Sequence, residues 1–113
     1  MLTLLIYLLA GHALADYPLQ GEFLSKAKNR TTPIPGVPWW HALSAHSAIH
    51  GGVVTFLTGQ WYLGVAEFLI HAITDDAKCR GKITYNQDQA IHIVCKLIWF
   101  VITIYLKGHG YGQ

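Results

Sequence analysis

WYLGVAEFLIHAITDDAKC, Trp61–Cys79, decides the fold. Within it, Glu67-x3-His71-x3-Asp75 sets three ionisable groups at four-residue spacing in an otherwise apolar run. Residues four apart lie above one another on one face of an α-helix. The segment therefore reads as a helix with one polar stripe. Ionisable groups are costly in hydrocarbon and, where they occur, face a bundle interior. The stripe calls for partners on neighbouring helices.

Those partners recur at the same spacing along the chain. His12-x3-Asp16-x3-Gln20 precedes the segment, as does His46-x3-His50, and Asp88-x3-His92-x3-Lys96 follows it. Four polar faces that converge define an all-α fold, a four-helix transmembrane bundle. Composition agrees. Of the 113 residues, 52% are hydrophobic and only 12% charged, against about a quarter charged in ordinary soluble domains. The apolar runs, about 17 to 22 residues long, match a hydrocarbon core of roughly 30 Å.

The pattern predicts helices over about 2–25, 39–57, 61–79 and 88–106, forming one domain over 1–107, with 108–113 as a mobile tail. Met1–Ala10 resembles a signal-peptide core, and Ala13-Leu-Ala15 a cleavage site. No Lys or Arg precedes that core, however, and His12 sits where it should end. The segment is therefore read as a retained first transmembrane helix. Pro33, Pro35 and Pro38 break the chain before Trp39-Trp40, whose rings suit a membrane interface. The short Thr58-Gly59-Gln60 connection makes helices two and three antiparallel neighbours. Gly51, Gly52 and Gly64 are expected to permit close helix packing. Cys79 and Cys95 form no metal-binding or disulfide pattern and read as reduced thiols.

Lys26, Lys28 and Arg30 fall in the first loop, and Lys78, Arg80 and Lys82 around the third. The positive-inside rule makes that side cytoplasmic, with both termini outside. The expected location is the bacterial inner membrane, multi-pass. These loop cations read as topology determinants that touch anionic lipid. Counted inward from that side, Asp16, His46, His71 and His92 form one layer. His12, His50, Glu67 and Lys96 form a deeper one, and Asp75 and Asp88 a shallower one. The layers point to one shared site in the cytoplasmic half.

Imidazole and carboxylate are the usual ligands of zinc, iron, manganese or nickel. Asp16, His46, His50, His71, Asp75 and His92 are the candidate metal ligands, sufficient for one or two divalent ions, with zinc favoured. Glu67 and Asp88 are candidate general bases for a metal-activated water. His12, Gln20 and Lys96 are candidates for orienting the ligands or holding substrate. Buried Lys96 needs a carboxylate, and depth favours Glu67.

The series His12-x3-Asp16-Tyr-x2-Gln20, His46-x3-His50, His71-x3-Asp75-x2-Lys78 and Asp88-Gln89-x2-His92 resembles the small bacterial and phage membrane proteins called domain of unknown function 3307. The resemblance covers roughly residues 5 to 100. It implies a polytopic membrane protein and carries His12, Asp16, Gln20, His46, His50, His71, Asp75, Asp88 and His92 as motif positions. Glu67 and Lys96 lie outside that pattern. The spacing is also loosely similar to that of bacterial inner-membrane proteins described as metal-dependent hydrolases.

Three functions follow as expectations. The first is an intramembrane metal-dependent hydrolase, open to the cytoplasm, acting on a lipid or membrane-associated ester or phosphoester. The second is a metal-ion or proton relay. The third is a non-catalytic membrane interaction protein, of the kind a phage encodes. The outer half of each helix carries almost no ligating residue, which favours a one-sided pocket over a relay. The expected partner is the lipid bilayer, with a homo-oligomer to complete the lateral wall and no nucleic acid.

Overall fold

The computed structural model describes residues 1–110. They form five helices, α1 (Leu2–Asp16), α2 (Gly21–Ala27), α3 (Trp39–Thr58), α4 (Trp61–Cys79) and α5 (Tyr85–Gly108). No strand occurs among the described residues, only an isolated bridge between Ile34 and Val37. The fold is all-α, as expected, but the first helix is two. Pro18 has no N–H, and its ring clashes with the carbonyl four residues back. The Leu19 N–H donates instead to the Leu14 carbonyl (3.1 Å). Gly21 takes a left-handed φ of 64°, and the chain restarts as α2, bent by 78° from α1. The second half of the expected helix thus lies across the end of the bundle and packs on α3.

The last helix starts three residues earlier than expected. Thr84 accepts from the Gln87 N–H, and the Gln87 side chain accepts from the Thr84 N–H, a capping box that sets the start at Tyr85. At the other end α5 runs through Gly108, inside the expected tail, of which residues 111–113 lie outside the described residues.

The closest helix pair is α3 with α4, turned by the left-handed Gly59 (φ 73°). A Cβ on Gly51 would lie 2.7 Å from the Gly64 carbonyl oxygen, and one on Gly64 would overlap the Thr55 hydroxyl. Gly52, expected in the same role, faces open space. Gly64→Ala should therefore force α3 and α4 apart and lower the unfolding midpoint in detergent, at a cost of about 1–3 kcal/mol. Gly52→Ala should leave it unchanged, and equal midpoints for the two variants would contradict the close approach.

The interior is polar. Among the described residues, buried polar and charged side chains outnumber buried apolar ones, while Ile6, Leu14, Ile73, Val94, Ile98 and Val101 are exposed. The apolar cluster of Leu8, Val54, Leu63, Cys95 and Trp99 fills only one end. Among the described residues, α5 alone is long and apolar enough to cross a membrane, and α1 with α2 only as a bent pair. Helices α3 and α4 have 20 and 19 residues, but three histidines interrupt the apolar run of α3, and Glu67, His71, Asp75 and Asp76 that of α4.

Candidate metal centre

Asp16 closes α1 at the centre of the bundle. Its Oδ1 accepts from His46 Nε2 (3.2 Å) and His50 Nε2 (2.9 Å) on α3. Its Oδ2 accepts from Gln89 Nε2 (2.9 Å) on α5 and lies 3.5 Å from His12 Nε2. His12 in turn donates to Gln89 Oε1 (3.0 Å). Three helices are thus tied to one carboxylate.

The fourth helix brings His71. Its Nδ1–H donates to Glu67 Oε2 (3.2 Å), one helical turn away. Glu67 Oε1 accepts from Lys96 Nζ (2.7 Å) and Trp99 Nε1 (2.9 Å), so the Lys96–Glu67 pairing expected from depth is present. Glu67, expected as a general base, has both oxygens engaged in hydrogen bonds, one of them to the His71 ring. With the proton on Nδ1, the Nε2 lone pair of His71 is buried and has no hydrogen-bond partner. It lies 3.6 Å from Asp75 Oδ2 and 3.9 Å from Asp16 Oδ1. Two carboxylate oxygens facing that nitrogen call for positive charge between them, which a bound cation or a second ring proton supplies. Ligand atoms of Asp16, His46, His50 and His71 all lie within 4.8 Å of one another, close enough to share one ion. Glu67/His71/His92 and Asp75/Asp88/His92 form further groupings of the same span.

The imidazoles pack as a stack. His50 lies over His71 (3.7 Å between ring centres, 21° between planes), and His71 over His92 (4.1 Å, 18°). Protonated neighbours at such distances repel, so the stack disfavours charge on adjacent rings.

Asp75 is held differently. Its Oδ2 accepts from Lys28 Nζ (2.5 Å), and Lys78 Nζ lies 3.7 Å from Oδ1. Asp88 Oδ1 accepts from His92 Nε2 (3.2 Å), and its Oδ2 lies 3.9 Å from Lys78. Four carboxylates (Asp16, Glu67, Asp75, Asp88) therefore face three ammonium groups (Lys28, Lys78, Lys96), leaving one negative charge when the histidines are neutral. One divalent ion reverses that to a single positive charge. A second would leave three, and uncompensated charge is costly in a buried site.

The expected layers merge into one continuous cluster, because Asp75 reaches His46 and His71 while Asp16 reaches His50. Gln20 stands apart. Its Nε2 donates to the Asp16 carbonyl (3.0 Å), and its side chain lines a cavity of about 450 Å³ beside Asp16. Sequence reasoning missed the anchoring role of Lys28, read as a loop cation yet only 2% exposed on Asp75. It also missed a strap outside the cluster. There Arg30 donates to both oxygens of Asp76 (2.8 Å each) and stacks on Trp39 (4.0 Å).

Fold and site together define an all-α protein whose buried histidine–carboxylate cluster has the donor set and spacing of a metal site. The chain belongs to the family described as Protein of unknown function (DUF3307), whose model matches residues 4–109. No curated protein and no solved structure matches it.

Proposed function

We propose that this chain is an integral membrane protein that holds one divalent ion, zinc favoured, on Asp16, His46, His50 and His71. We further propose that it hydrolyses an ester or phosphoester of a lipid or membrane-associated substrate. The observation that carries the reading is the oriented, unpartnered Nε2 of His71 facing two carboxylates. An ion there supplies Lewis-acid activation of water and of the substrate oxygen. Asp88 orients His92 through a 3.2 Å hydrogen bond. Together they form a carboxylate–imidazole pair suited to take a proton from attacking water and return it to the leaving oxygen. Glu67, Lys96 and Trp99 hold His71 in register. Asp75, tied by Lys28, stabilises the charge of the centre.

The apolar exterior around a polar interior supports a membrane setting, since such a surface in water would invite aggregation. Basic residues gathered at the end with the cavity favour the bacterial inner membrane, with that end cytoplasmic and both termini outside. The apolar cluster of Leu8, Val54, Leu63 and Trp99 blocks the far end, which favours a one-sided pocket over a relay. One observation favours the purely structural bundle instead: among the described residues, each buried carboxylate already has a lysine, arginine or imidazole partner.

Plasma mass spectrometry on untagged protein purified in detergent separates these readings. About one zinc per chain is expected, and none in His71→Ala. Folded protein that stays metal-free after incubation with zinc or manganese would refute the metal reading and leave the structural bundle.

A further inference from the structure

Resting on the metal reading above, we infer that the cavity between α2, α4 and the start of α5 receives a phosphate group, held between Lys78 and the ion on Asp16. The cavity has about 450 Å³ and is lined by Tyr17, Gln20, Ser25, Lys28, Lys78 and Tyr85, with Asp16 at its inner wall. Carboxylates are present too: Glu22 lines the outer side and is paired with Lys26 (2.7 Å).

Three observations point to an anion. Lys78 is not committed to one partner: its Nζ stands 3.7 Å from Asp75 and 3.9 Å from Asp88, beyond direct hydrogen-bond distance of either. Its side chain is 24% exposed and lines the cavity. The charge balance of the cluster becomes positive by one once a divalent ion is present, which a bound anion would neutralise. Neutral donors complete the wall, in the Ser25 hydroxyl and the Tyr17–Tyr85 pair, of which one hydroxyl hydrogen is left free. The Tyr17 and Tyr85 hydroxyls hydrogen-bond to each other and close one side of the mouth. Phosphate oxygens accept from ammonium and hydroxyl groups together. Lys96 and Lys28, the other ammonium groups, are excluded by their buried pairings with Glu67 and Asp75.

The rim indicates how such a group arrives. Tyr17, Leu19, Phe23 and Tyr85 are all about half exposed around the cavity end, and beyond them the helices present apolar side chains. A phosphorylated lipid would set its head in the cavity with its chains along that surface. A free phosphate would use the head site alone.

The test is calorimetric titration of zinc-loaded protein in non-ionic detergent, freed of excess zinc. The probes are inorganic phosphate, dioleoyl phosphatidate in mixed micelles and, as control, dioleoyl phosphatidylcholine. Wild type should bind phosphate probes, Lys78→Gln about tenfold more weakly, and Lys78→Arg nearly as wild type, with zinc content equal in all three. Phosphatidate tighter than inorganic phosphate assigns the site to a lipid head, and equal affinities assign it to free phosphate. Retained zinc without phosphate binding, or Lys78→Gln equal to wild type, overturns the phosphate site and leaves the metal reading standing. A wild type that retains no zinc overturns both.

Discussion

Asp16→Asn protein should retain no zinc, whereas Glu67→Gln should retain it with an affinity about 10–100-fold weaker. The two carboxylates sit at different removes from the proposed ion. Asp16 Oδ1 is the point on which His46, His50 and His71 converge, at 3.2, 2.9 and 3.9 Å. Replacing it with an amide removes the one anionic ligand of the set and leaves neutral donors only. Glu67 acts through His71, fixing the proton on Nδ1 so that Nε2 is free. A glutamine can still accept that hydrogen bond, with less charge behind it. Competition against a chromophoric zinc chelator would read both affinities. Equal losses in the two variants would place Glu67 among the ligands and contradict its orienting role.

Lys96→Met should be among the most destabilising single changes in the protein, costing about 3–5 kcal/mol through an unpaired buried carboxylate. Lys96 Nζ and Glu67 Oε1 lie 2.7 Å apart, and both side chains are buried. Removing the ammonium leaves Glu67, among the described residues, with the Trp99 and His71 ring N–H donors and no ammonium to balance its charge. The double variant Lys96→Met/Glu67→Gln removes the stranded charge as well and should recover much of the loss. Unfolding in detergent, run as a double-mutant cycle, measures the coupling directly. A single variant within about 0.5 kcal/mol of wild type, the range of an ordinary surface change, would mean that the pair contributes nothing.

Which parts of this were legible in the sequence follows from where each signal resides. The stripes were readable because four-residue spacing is a property of the helix itself. The Lys96–Glu67 pair was readable because both residues fall at one depth on neighbouring helices. The break in the first helix was present in the sequence as Pro18, but the polar spacing continues through Asp16 to Gln20 and masks it. The Thr84-x2-Gln87 capping signature was likewise present, inside a stretch polar enough to pass for loop. Lys28 carried no local signal. It lies two residues from Lys26, which pairs on the surface with Glu22, and only the turn of α2 over the bundle sends Lys28 inward to Asp75. Gln89 reaches Asp16 across 73 positions of chain, a contact no local pattern announces.

The inverted interior has a consequence for how this sequence can drift. In a water-soluble domain the core resists substitution and the surface accepts it. In the proposed membrane setting the outward positions, such as Val94, Ile98 and Val101 on α5, would ask only for an apolar side chain of any shape. The inward ones are bound into shared hydrogen bonds, and each replacement strands a partner. Selection acting on such a chain would leave a sparse, rigid lattice of polar letters set in freely varying aliphatic text.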